Sequence, residues 1–354
     1  MAGITDNYHG QNTVALMAQE ATFGTDPGAG YVAMGILDGE ISITRNNTLK
    51  RLHALGSRTA QQIVPTQYIV TGTITGIYQT GRLLTYAMGR DSRDGVTVPP
   101  THYLNYRTIA ASPVDVSLLP SFTLRMTRGN VVTADTIETY TGCRITSFRL
   151  SGTMDEPLRI SCDFIGQTTS DSLTAAASVF AVDADTVQPP QFGSFQIPDA
   201  TALGQVQNFE LTINNNLAQL YAVGSRLLQQ SPALKMELDL RSTIAFTDES
   251  AARIQAFLGD AVDPFTPQNT ITAETATILY TNAGAAAALR SIRVNLSNVR
   301  IGEMAHVTRV GEVTFLDLTS QIQDFTQTGW GAVPSNAPIV LRDEAAAAYV
   351  TTTP

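Results

Sequence analysis

Apolar and polar side chains alternate along several segments of the chain, and this alternation predicts β-strands. Residues 234–240 carry Leu or Met at every second position, with a charged side chain between them. A strand with one face on a core and the other in water has this period of two. Residues 68–75 are rich in β-branched side chains, which also favour strands. Both segments are therefore expected to lie in sheets.

A hairpin is predicted near the end of each half of the chain. In the first half, 143–150 and 158–164 are two strands of mixed alternation on either side of a turn. In the second half, 291–301 and 307–318 have the same pattern, and the turn is placed near 302–305. The two halves are therefore expected to end in similar β-structure.

Each half also contains one helix candidate that ends at a glycine. The first covers 81–88 and ends before Gly89, and the second covers 248–258 and ends before Gly259. Thr247 can cap the second helix by accepting its first free amide groups. The chain is expected to be mainly β with a few short helices, built as two similar β-sandwich or barrel domains in tandem, with a long loop and terminal arms.

Residues 41–62 and 209–230 read as two copies of one segment, related by an offset of 168 in the numbering. Without gaps, 11 of the 22 positions are identical, and because the segment is not of low complexity, chance is a poor explanation. The repeat predicts an internal duplication, with a first domain at 1–187 and a second at 188–354. The identical pairs are Thr44/Thr212, Asn46/Asn214, Asn47/Asn215, Leu49/Leu217, Leu52/Leu220, Ala54/Ala222, Gly56/Gly224, Ser57/Ser225, Arg58/Arg226, Gln61/Gln229 and Gln62/Gln230.

A duplicated fold changes the expected assembly. If an ancestor with a single copy of the fold closed a ring by head-to-tail contacts, the duplicated chain closes the same ring with half as many subunits. The edges of a sheet also need a partner, and pairing with a neighbouring subunit provides one.

The repeated segment is mostly polar, and two interpretations of it are open. Residues 45–62 are expected to form a loop of about 20 residues, a length that is uncommon in a compact domain unless the loop has a task. The loop either packs on its own domain or forms an arm that docks on a neighbouring subunit. As an arm, its inter-subunit candidates are Asn46, Asn47, Leu49, Leu52, Gly56, Ser57 and Arg58, with Asn214, Asn215, Leu217, Leu220, Gly224, Ser225 and Arg226 in the second copy.

The composition excludes several classes of protein. The formal net charge is −9, from 22 basic and 31 acidic residues, which argues against a surface built to neutralise phosphates. No apolar run predicts a membrane helix, and residues 1–19 lack the features of a secretory signal. An aromatic content of 7% does not fit an outer-membrane barrel.

No constellation of residues predicts catalysis, a cofactor site or a metal site. The four histidines lie far apart without metal-ligand spacing. Cys143 and Cys162 flank the predicted turn of the first hairpin, where a disulfide is conceivable but two buried thiols are the favoured interpretation. Asp155 and Glu156 are adjacent in that turn, with no histidine or arginine placed to shift their pKa values.

Three features of the chain resemble the tail tube proteins of long-tailed bacterial and archaeal viruses. Residues 18–25 are similar to an E-x-T/S-F-G-T opening, and a long polar loop ends in Gly-Ser-Arg before a strand. The order of strands, helix and terminal hairpin includes G-C-R-I-x-S-F-x-L at 142–150. The resemblance covers most of the chain, although the opening has no second copy.

This resemblance implies a β-sandwich or barrel with one flanking helix, assembled into stacked rings around a lumen. Most members form hexameric rings, whereas members with a duplicated fold form trimeric rings with pseudo-sixfold symmetry, and the repeat assigns this chain to the second group. The implied role is structural and not enzymatic, in the virion tail after assembly in the host cytoplasm. The implied partners are further copies of the chain, a tape-measure protein and tail-tip or terminator proteins, with no membrane and with double-stranded DNA passing through the lumen without specific binding.

An acidic lumen wall would repel phosphates and let DNA slide. Glu237 and Asp239 on a predicted strand, and Asp155 and Glu156 in a turn, are candidates for that wall, and a solvated outer face is equally consistent with their positions. Two other function classes stay open: another self-assembling virion protein, such as a sheath or decoration protein, and an enzyme or carbohydrate-binding module on a β-scaffold. The latter predicts clustered aromatics or paired acids in one half, and neither is found.

Overall fold

The structure, a computed structural model, describes the chain in several stretches. They are residues 13–34, 36–94, 100–106, 118–128, 136–172, 189–196, 206–245, 254, 257–258, 271, 273–282, 290–308, 313–325 and 337–342. Nearly all regular structure in them is antiparallel β-sheet, so the expectation of a mainly β fold is confirmed. The strands are β1 (Thr13–Gln19), β2 (Val32–Ala33), β3 (Ile36–Leu52), β4 (Gln62–Tyr78), β5 (Arg90–Asp94), β6 (Thr101–Asn105), β7 (Phe122–Arg128), β8 (Thr136–Thr153), β9 (Arg159–Gly166), β10 (Thr168–Ser172), β11 (Gly193–Gln196), β12 (Val206–Asn214), β13 (Leu220–Tyr221), β14 (Leu228–Gln230), β15 (Glu237–Ala245), β16 (Glu274–Thr281), β17 (Ser291–Val307), β18 (Phe315–Phe325) and β19 (Ile339–Arg342).

One α-helix, α1 (Arg82–Met88), confirms the first helix prediction. Gly89 ends it with a φ of 101°, a conformation that glycine adopts without steric cost. The second predicted helix, 248–258, lies largely outside the described residues, of which 254 and 257–258 are helical. No helix in the described stretches is long and apolar enough to cross a membrane.

Eight strands form one continuous antiparallel run, in the order β3-β4-β9-β8-β12-β15-β18-β17. The first four come from the first half of the chain and the last four from the second. They join where residues 147–153 of β8 pair with 208–214 of β12. One face of the run buries apolar side chains such as Phe148, Leu211 and Leu240, and the other face is polar.

The two groups of four strands share their register as well as their order. We call residues 36–167, which contain β3, β4, β8 and β9, unit 1, and residues 206–325, which contain β12, β15, β17 and β18, unit 2. An offset of 168 in residue number converts the β3–β4 pair Ile43↔Gly72 into the β12–β15 pair Leu211↔Leu240. An offset of 156 converts the β8–β9 pairs into the β17–β18 pairs, including the register irregularity between Ile145 and Ser147, which recurs between Ile301 and Glu303. Gly142 and Asn298, related by the same offset of 156, have φ angles of 67° and 51°.

A second layer of strands covers the apolar face of each unit. In unit 1, Phe122 of β7 lies 6.1 Å from Phe164 of β9 and 5.2 Å from Tyr86 of α1, measured between ring centroids. In unit 2, Tyr280 of β16 lies 5.8 Å from Phe209 of β12. Because the apolar face is covered in both units, only the polar face of the eight-strand run is left for solvent.

The turn predicted near 302–305 is wrong, because β17 runs through it. Gly302 lies at the register irregularity between Ile301 and Glu303, where the strand continues in its pairing with β18. A β-bulge accommodates a glycine without reversing the chain, so this glycine does not mark a turn.

Segments predicted as terminal arms contribute strands to the sheet. Near the amino end, β1 pairs with β7 along its whole length. Near the carboxyl end, β19 lies between β17 and β6 and buries Ile339 and Leu341 completely. The apolar residues of β19 alternate toward the core, so this part of the predicted carboxyl-terminal arm, 332–354, belongs to the sheet, and the residues of that arm outside 337–342 lie outside the described residues.

Candidate assembly surface

The first copy of the repeated segment is a hairpin, so the prediction of a loop over 45–62 is wrong. Strands β3 and β4 pair from Ile36↔Tyr78 out to Leu52↔Gln62. We call the outer part, residues 45–68, the first arm. Its side chains are mostly polar on both faces, so it lacks the alternation by which a strand is recognised.

The first arm presents apolar side chains to solvent. Leu49 is 57% exposed, Ile63 is 56% exposed and Leu55 at the tip is fully exposed. The candidates Asn46, Asn47, Leu49 and Leu52 lie on β3, and Gly56, Ser57 and Arg58 lie at the tip. Isolated exposed leucines are ordinary, but a group of them on a projecting hairpin is typical of a contact surface.

The second copy has a different conformation, and we call residues 215–230 the second arm. Strand β12 ends at Asn214, and Asn216 then adopts a φ of 45°. The rest of the arm holds the two short strands β13 and β14, and Leu217 forms a bridge with Ala233. Leu220 and Val223 are exposed, as are the apolar residues of the first arm.

The two arms have the same turn at their tips. The Ser57 amide donates to the Ala54 carbonyl over 3.1 Å, and the Ser225 amide donates to the Ala222 carbonyl over 3.2 Å. Gly56 and Gly224 supply the positive φ angles, 87° and 90°, that this turn requires.

The arms lie side by side. The Tyr68 amide of the first arm donates to the Arg226 carbonyl over 2.9 Å. The Arg226 guanidinium donates to Oδ1 of Asn47 over 2.6 Å. The structure therefore brings together two of the predicted arm residues, one from each copy of the repeat.

Asn215 anchors the second arm to unit 1. Its buried Nδ2 donates to the carbonyls of Ala87 and Ile145, over 3.0 and 3.2 Å. Its amide donates to the Thr146 carbonyl over 2.8 Å. These bonds stop β12 from continuing as a straight hairpin strand.

Arg144 and Gln167 of unit 1 hold the other end of the second arm. The buried Arg144 donates from Nη1 to the Ser231 carbonyl over 3.1 Å, and its guanidinium carbon lies 4.6 Å from the centre of the Phe23 ring. Burial lowers the pKa of Arg144 to about 10, so the side chain stays charged at neutral pH. Gln167 donates from Nε2 to the Leu228 carbonyl over 2.7 Å.

Glu20 stabilises the turn next to Arg144 and Phe23, and the sequence analysis assigns it no role. Its buried carboxylate accepts hydrogen bonds from the amides of Gly24 and Gly142 and from the Thr123 hydroxyl, over 2.9, 2.7 and 2.7 Å. These bonds fix the turn that carries Phe23. The one signal for this role in the sequence is that Glu20 is the acidic residue of the opening at 18–25.

Two sheet edges of the eight-strand run have no strand partner among the described residues. They are the outer edge of β3 and residues 300–307 of β17. Their counterparts under the offsets of 168 and 156 are the edges of β12 and β8, which pair with each other inside the chain. The chain therefore uses one pair of edges internally and leaves the equivalent pair open.

The four lumen candidates lie in two different places. Glu237 and Asp239 lie on the polar face of β15 and are exposed. Asp155 and Glu156 lie in the turn between β8 and β9, at the end of the sheet, and Glu156 accepts from Nε of Arg159 over 2.7 Å. Arg159 therefore forms an exposed ion pair with Glu156 beside this turn. That any of these carboxylates faces a lumen stays a prediction.

Cys143 and Cys162 are free and completely buried, as the buried-thiol interpretation predicted. Burial raises the pKa of both thiols, so they stay protonated. Within the described stretches, no group of three His, Cys, Asp or Glu side chains is arranged to hold a metal ion.

A comparison with protein families matches residues 10–332 to the model described as phage tail tube protein. No curated protein matches the chain. The matched region includes both units, both arms and both open edges. The chain therefore belongs to the phage tail tube protein family.

Proposed function

We propose that three copies of the chain join head to tail into a ring, and that the rings stack into a tail tube that conducts double-stranded DNA. Membership of the family makes the chain a structural component of the virion tail. The observation that carries the finer proposal is the internal joint between β8 and β12. This joint links two units of the same strand order. The edges equivalent to those in the joint, on β17 and β3, have no strand partner among the described residues.

The open edge of β17 in one copy is complementary to the open edge of β3 in the next. Carrying the internal register across places Ala305 opposite Thr44 and Glu303 opposite Asn46, because these are the counterparts of Arg149↔Thr212 and Ser147↔Asn214. Such a contact is heterologous, so it closes into a ring when the rotation per unit divides a full turn. It also covers the edges, which would otherwise invite uncontrolled pairing.

Three copies of the chain contain six units. Because the two units have the same strand order and register, the β8–β12 joint within a copy and the proposed β17–β3 joint between copies are expected to be nearly alike. The matching tip turns, the 11 identities of the arms and the two constant offsets all support an origin by duplication, with units in the two predicted domains, 1–187 and 188–354. The number three comes from the tail tube proteins with duplicated folds that the chain resembles.

The polar face of the eight-strand run is the face we assign to the lumen. The other face is covered by the second layer, so it cannot line a channel. The polar face carries Glu237 and Asp239 beside Arg149 and Arg241, and the whole chain has a net charge of −9. Such a wall offers no continuous basic track to DNA phosphates, which favours passage over binding. Asp155 and Glu156 would lie at the rim.

The two arms project apolar tips, and we propose that they contact the adjacent ring. This assigns the arm interpretation to the exposed residues at the tips of both copies, whereas Asn215 is buried against unit 1 of its own chain. Tape-measure and tail-tip or terminator proteins would then meet the lumen and the end rings, after assembly in the host cytoplasm.

Cysteine cross-linking tests the ring directly. Thr44 and Ala305 are both exposed, and the native cysteines are buried, so a Thr44→Cys/Ala305→Cys chain reports only the proposed joint. Oxidation of assembled material is expected to give covalent oligomers that end at three copies, beside hollow rings in negative-stain electron microscopy. A Ser42→Cys/Ala305→Cys chain, two residues out of register, is the control and is expected to cross-link much more slowly.

The outcomes separate the parts of the proposal. A series of cross-linked species that ends at six copies would retain the joint and overturn the trimer. Assembled tubes without cross-links between copies would overturn the pairing of β17 with β3. Solid particles, or sleeves around another tube, would instead favour the decoration or sheath alternatives.

A further inference from the structure

Among the polar contacts beside the internal joint are three in which a side chain of one unit donates to the backbone of the other. Arg144 and Gln167 of unit 1 donate to backbone carbonyls at the base of the second arm. In return, Asn215 of unit 2 donates to the Ile145 carbonyl of unit 1. Each contact joins a side-chain donor to a backbone acceptor, so it fixes the position of one unit along the other.

Both unit 1 donors have counterparts of the same residue type in unit 2. The offset of 156 that relates β8 and β9 to β17 and β18 carries Arg144 to Arg300 and Gln167 to Gln323. The strand pairing confirms the correspondence for the arginines, since Arg144 lies opposite Ile165 and Arg300 lies opposite Gln321, the counterpart of Ile165 under the same offset. Arg300 and Gln323 are exposed and make no side-chain hydrogen bond or ion pair with the described residues.

The unit 2 donor likewise has a counterpart of its own type in unit 1. The offset of 168 relates Asn215 to Asn47, one of the identities of the repeat. Asn215 is buried, whereas Asn47 is exposed. The Oδ1 of Asn47 accepts from Arg226, and its Nδ2 group can still donate to another acceptor.

We propose that Arg300, Gln323 and Asn47 form a polar latch between successive copies of the chain. Arg300 and Gln323 of one copy donate to backbone carbonyls at 60–63 of the next copy, the counterparts of Leu228 and Ser231. Asn47 of that next copy donates back to the Ile301 carbonyl, the counterpart of Ile145. The inference rests on the proposed head-to-tail assembly and specifies which side chains set its register.

The latch explains why Arg144, Gln167 and Asn215 are at least partly buried, whereas their counterparts of identical type are exposed. In the isolated chain the three side chains are exposed, so their removal leaves the fold unchanged. At a joint between copies they become buried, and each lost hydrogen bond, above all that of the charged Arg300, weakens association about tenfold.

The test compares Arg300→Ala, Gln323→Ala and Asn47→Ala in the full chain. Sedimentation velocity over a range of protein concentrations gives the concentration at which half of the material is assembled. Arg293→Ala is the matched control, because Arg293 is an exposed arginine on the same strand at a position already paired with β16 and β19. Urea unfolding of each monomer checks that the fold is intact.

The latch predicts that each of the three variants raises the half-assembly concentration about tenfold, that the triple variant raises it further, and that Arg293→Ala leaves it unchanged. The rate of the Thr44→Cys/Ala305→Cys cross-link is expected to fall in parallel. If the wild-type chain assembles and each of the three variants, measured separately, assembles equally well, the latch is overturned and the proposed function stays intact. A wild-type chain that stays monomeric at every concentration contradicts the proposed function, and the latch fails with it.

Discussion

The two arms share half of their residues in the repeated segment and yet have different conformations. The first is a straight hairpin that extends the long strands β3 and β4, whereas the second breaks after Asn214 and lies against unit 1. The second arm has a neighbouring unit in the same chain, and Asn215, Arg144 and Gln167 attach it there. The partner surface, more than the arm's own sequence, therefore decides the arm's conformation.

The largest expected effect comes from removing the support of the second arm. Glu20→Ala leaves three hydrogen-bond donors without their acceptor in a buried site, so the free energy of unfolding is expected to fall by about 3 kcal/mol or more. Urea denaturation measures the change, with Glu40→Ala, an exposed glutamate of β3, as the control. If the chain does not fold, Glu20→Gln retains one acceptor oxygen and is expected to lose less. A loss of less than about 0.5 kcal/mol in Glu20→Ala would show that the second arm needs no such support.

A matched pair of substitutions compares the arms directly. Asn215→Ala removes two side-chain bonds to the buried carbonyls of Ala87 and Ile145 and is expected to cost about 2 kcal/mol of unfolding free energy. Asn47→Ala, at the identical residue of the exposed first arm, is expected to cost about 0.5 kcal/mol or less in the monomer. Equal losses in urea denaturation would mean that the first arm is docked as firmly as the second.

Sequence reasoning predicted those features that depend on one or two residues. Gly89 ends the first helix as expected, because a glycine at this position needs no support from distant residues. The arm strands were missed because a hairpin exposed on both faces has no core-facing period. The turn near 302–305 was misplaced because a glycine in a bulge looks the same as a glycine in a turn.

The sequence predicts only part of the candidate assembly surface, because the rest depends on residues far apart in the chain. The arm copies align at an offset of 168, but the closing strands align at 156, so the likeness of residues 141–145 to 297–301 is hidden when a single offset is used. Arg144 and Glu20 act through burial and hydrogen bonding across long separations in the chain, which no local pattern reports. Long-range strand pairing supplies that information.

The turns at the tips are the part of the two arms that is expected to respond alike to substitution. Gly56→Ala and Gly224→Ala each place a side chain at a φ near 90°, with nothing within 4 Å of the added carbon, so only backbone strain of about 1 kcal/mol is expected. The amides of Ser57 and Ser225 close these turns, and their hydrogen exchange is expected to accelerate about fivefold in the respective variant. Acceleration at one tip alone would show that the docked arm holds its turn by contacts that the first arm lacks.

The smallest effect on the monomer is expected at the apolar tips. Leu55 and Val223 are fully exposed, so Leu55→Ser and Val223→Ser remove no buried area and are expected to change the unfolding free energy by less than about 0.5 kcal/mol. If the tips contact the adjacent ring, the same variants form rings but give shorter tubes in negative-stain images, because burial of a leucine or valine there contributes about 1.5–3 kcal/mol per contact. Gln67→Ser, on the exposed base of the first arm, is the control and is expected to leave tube length unchanged. The arms differ in conformation but share an exposed apolar tip. Equal shortening of the tubes by both variants would therefore identify the tip as the part of the arm that contacts the adjacent ring. Tubes of normal length from both variants would instead assign the arms to contacts within one ring.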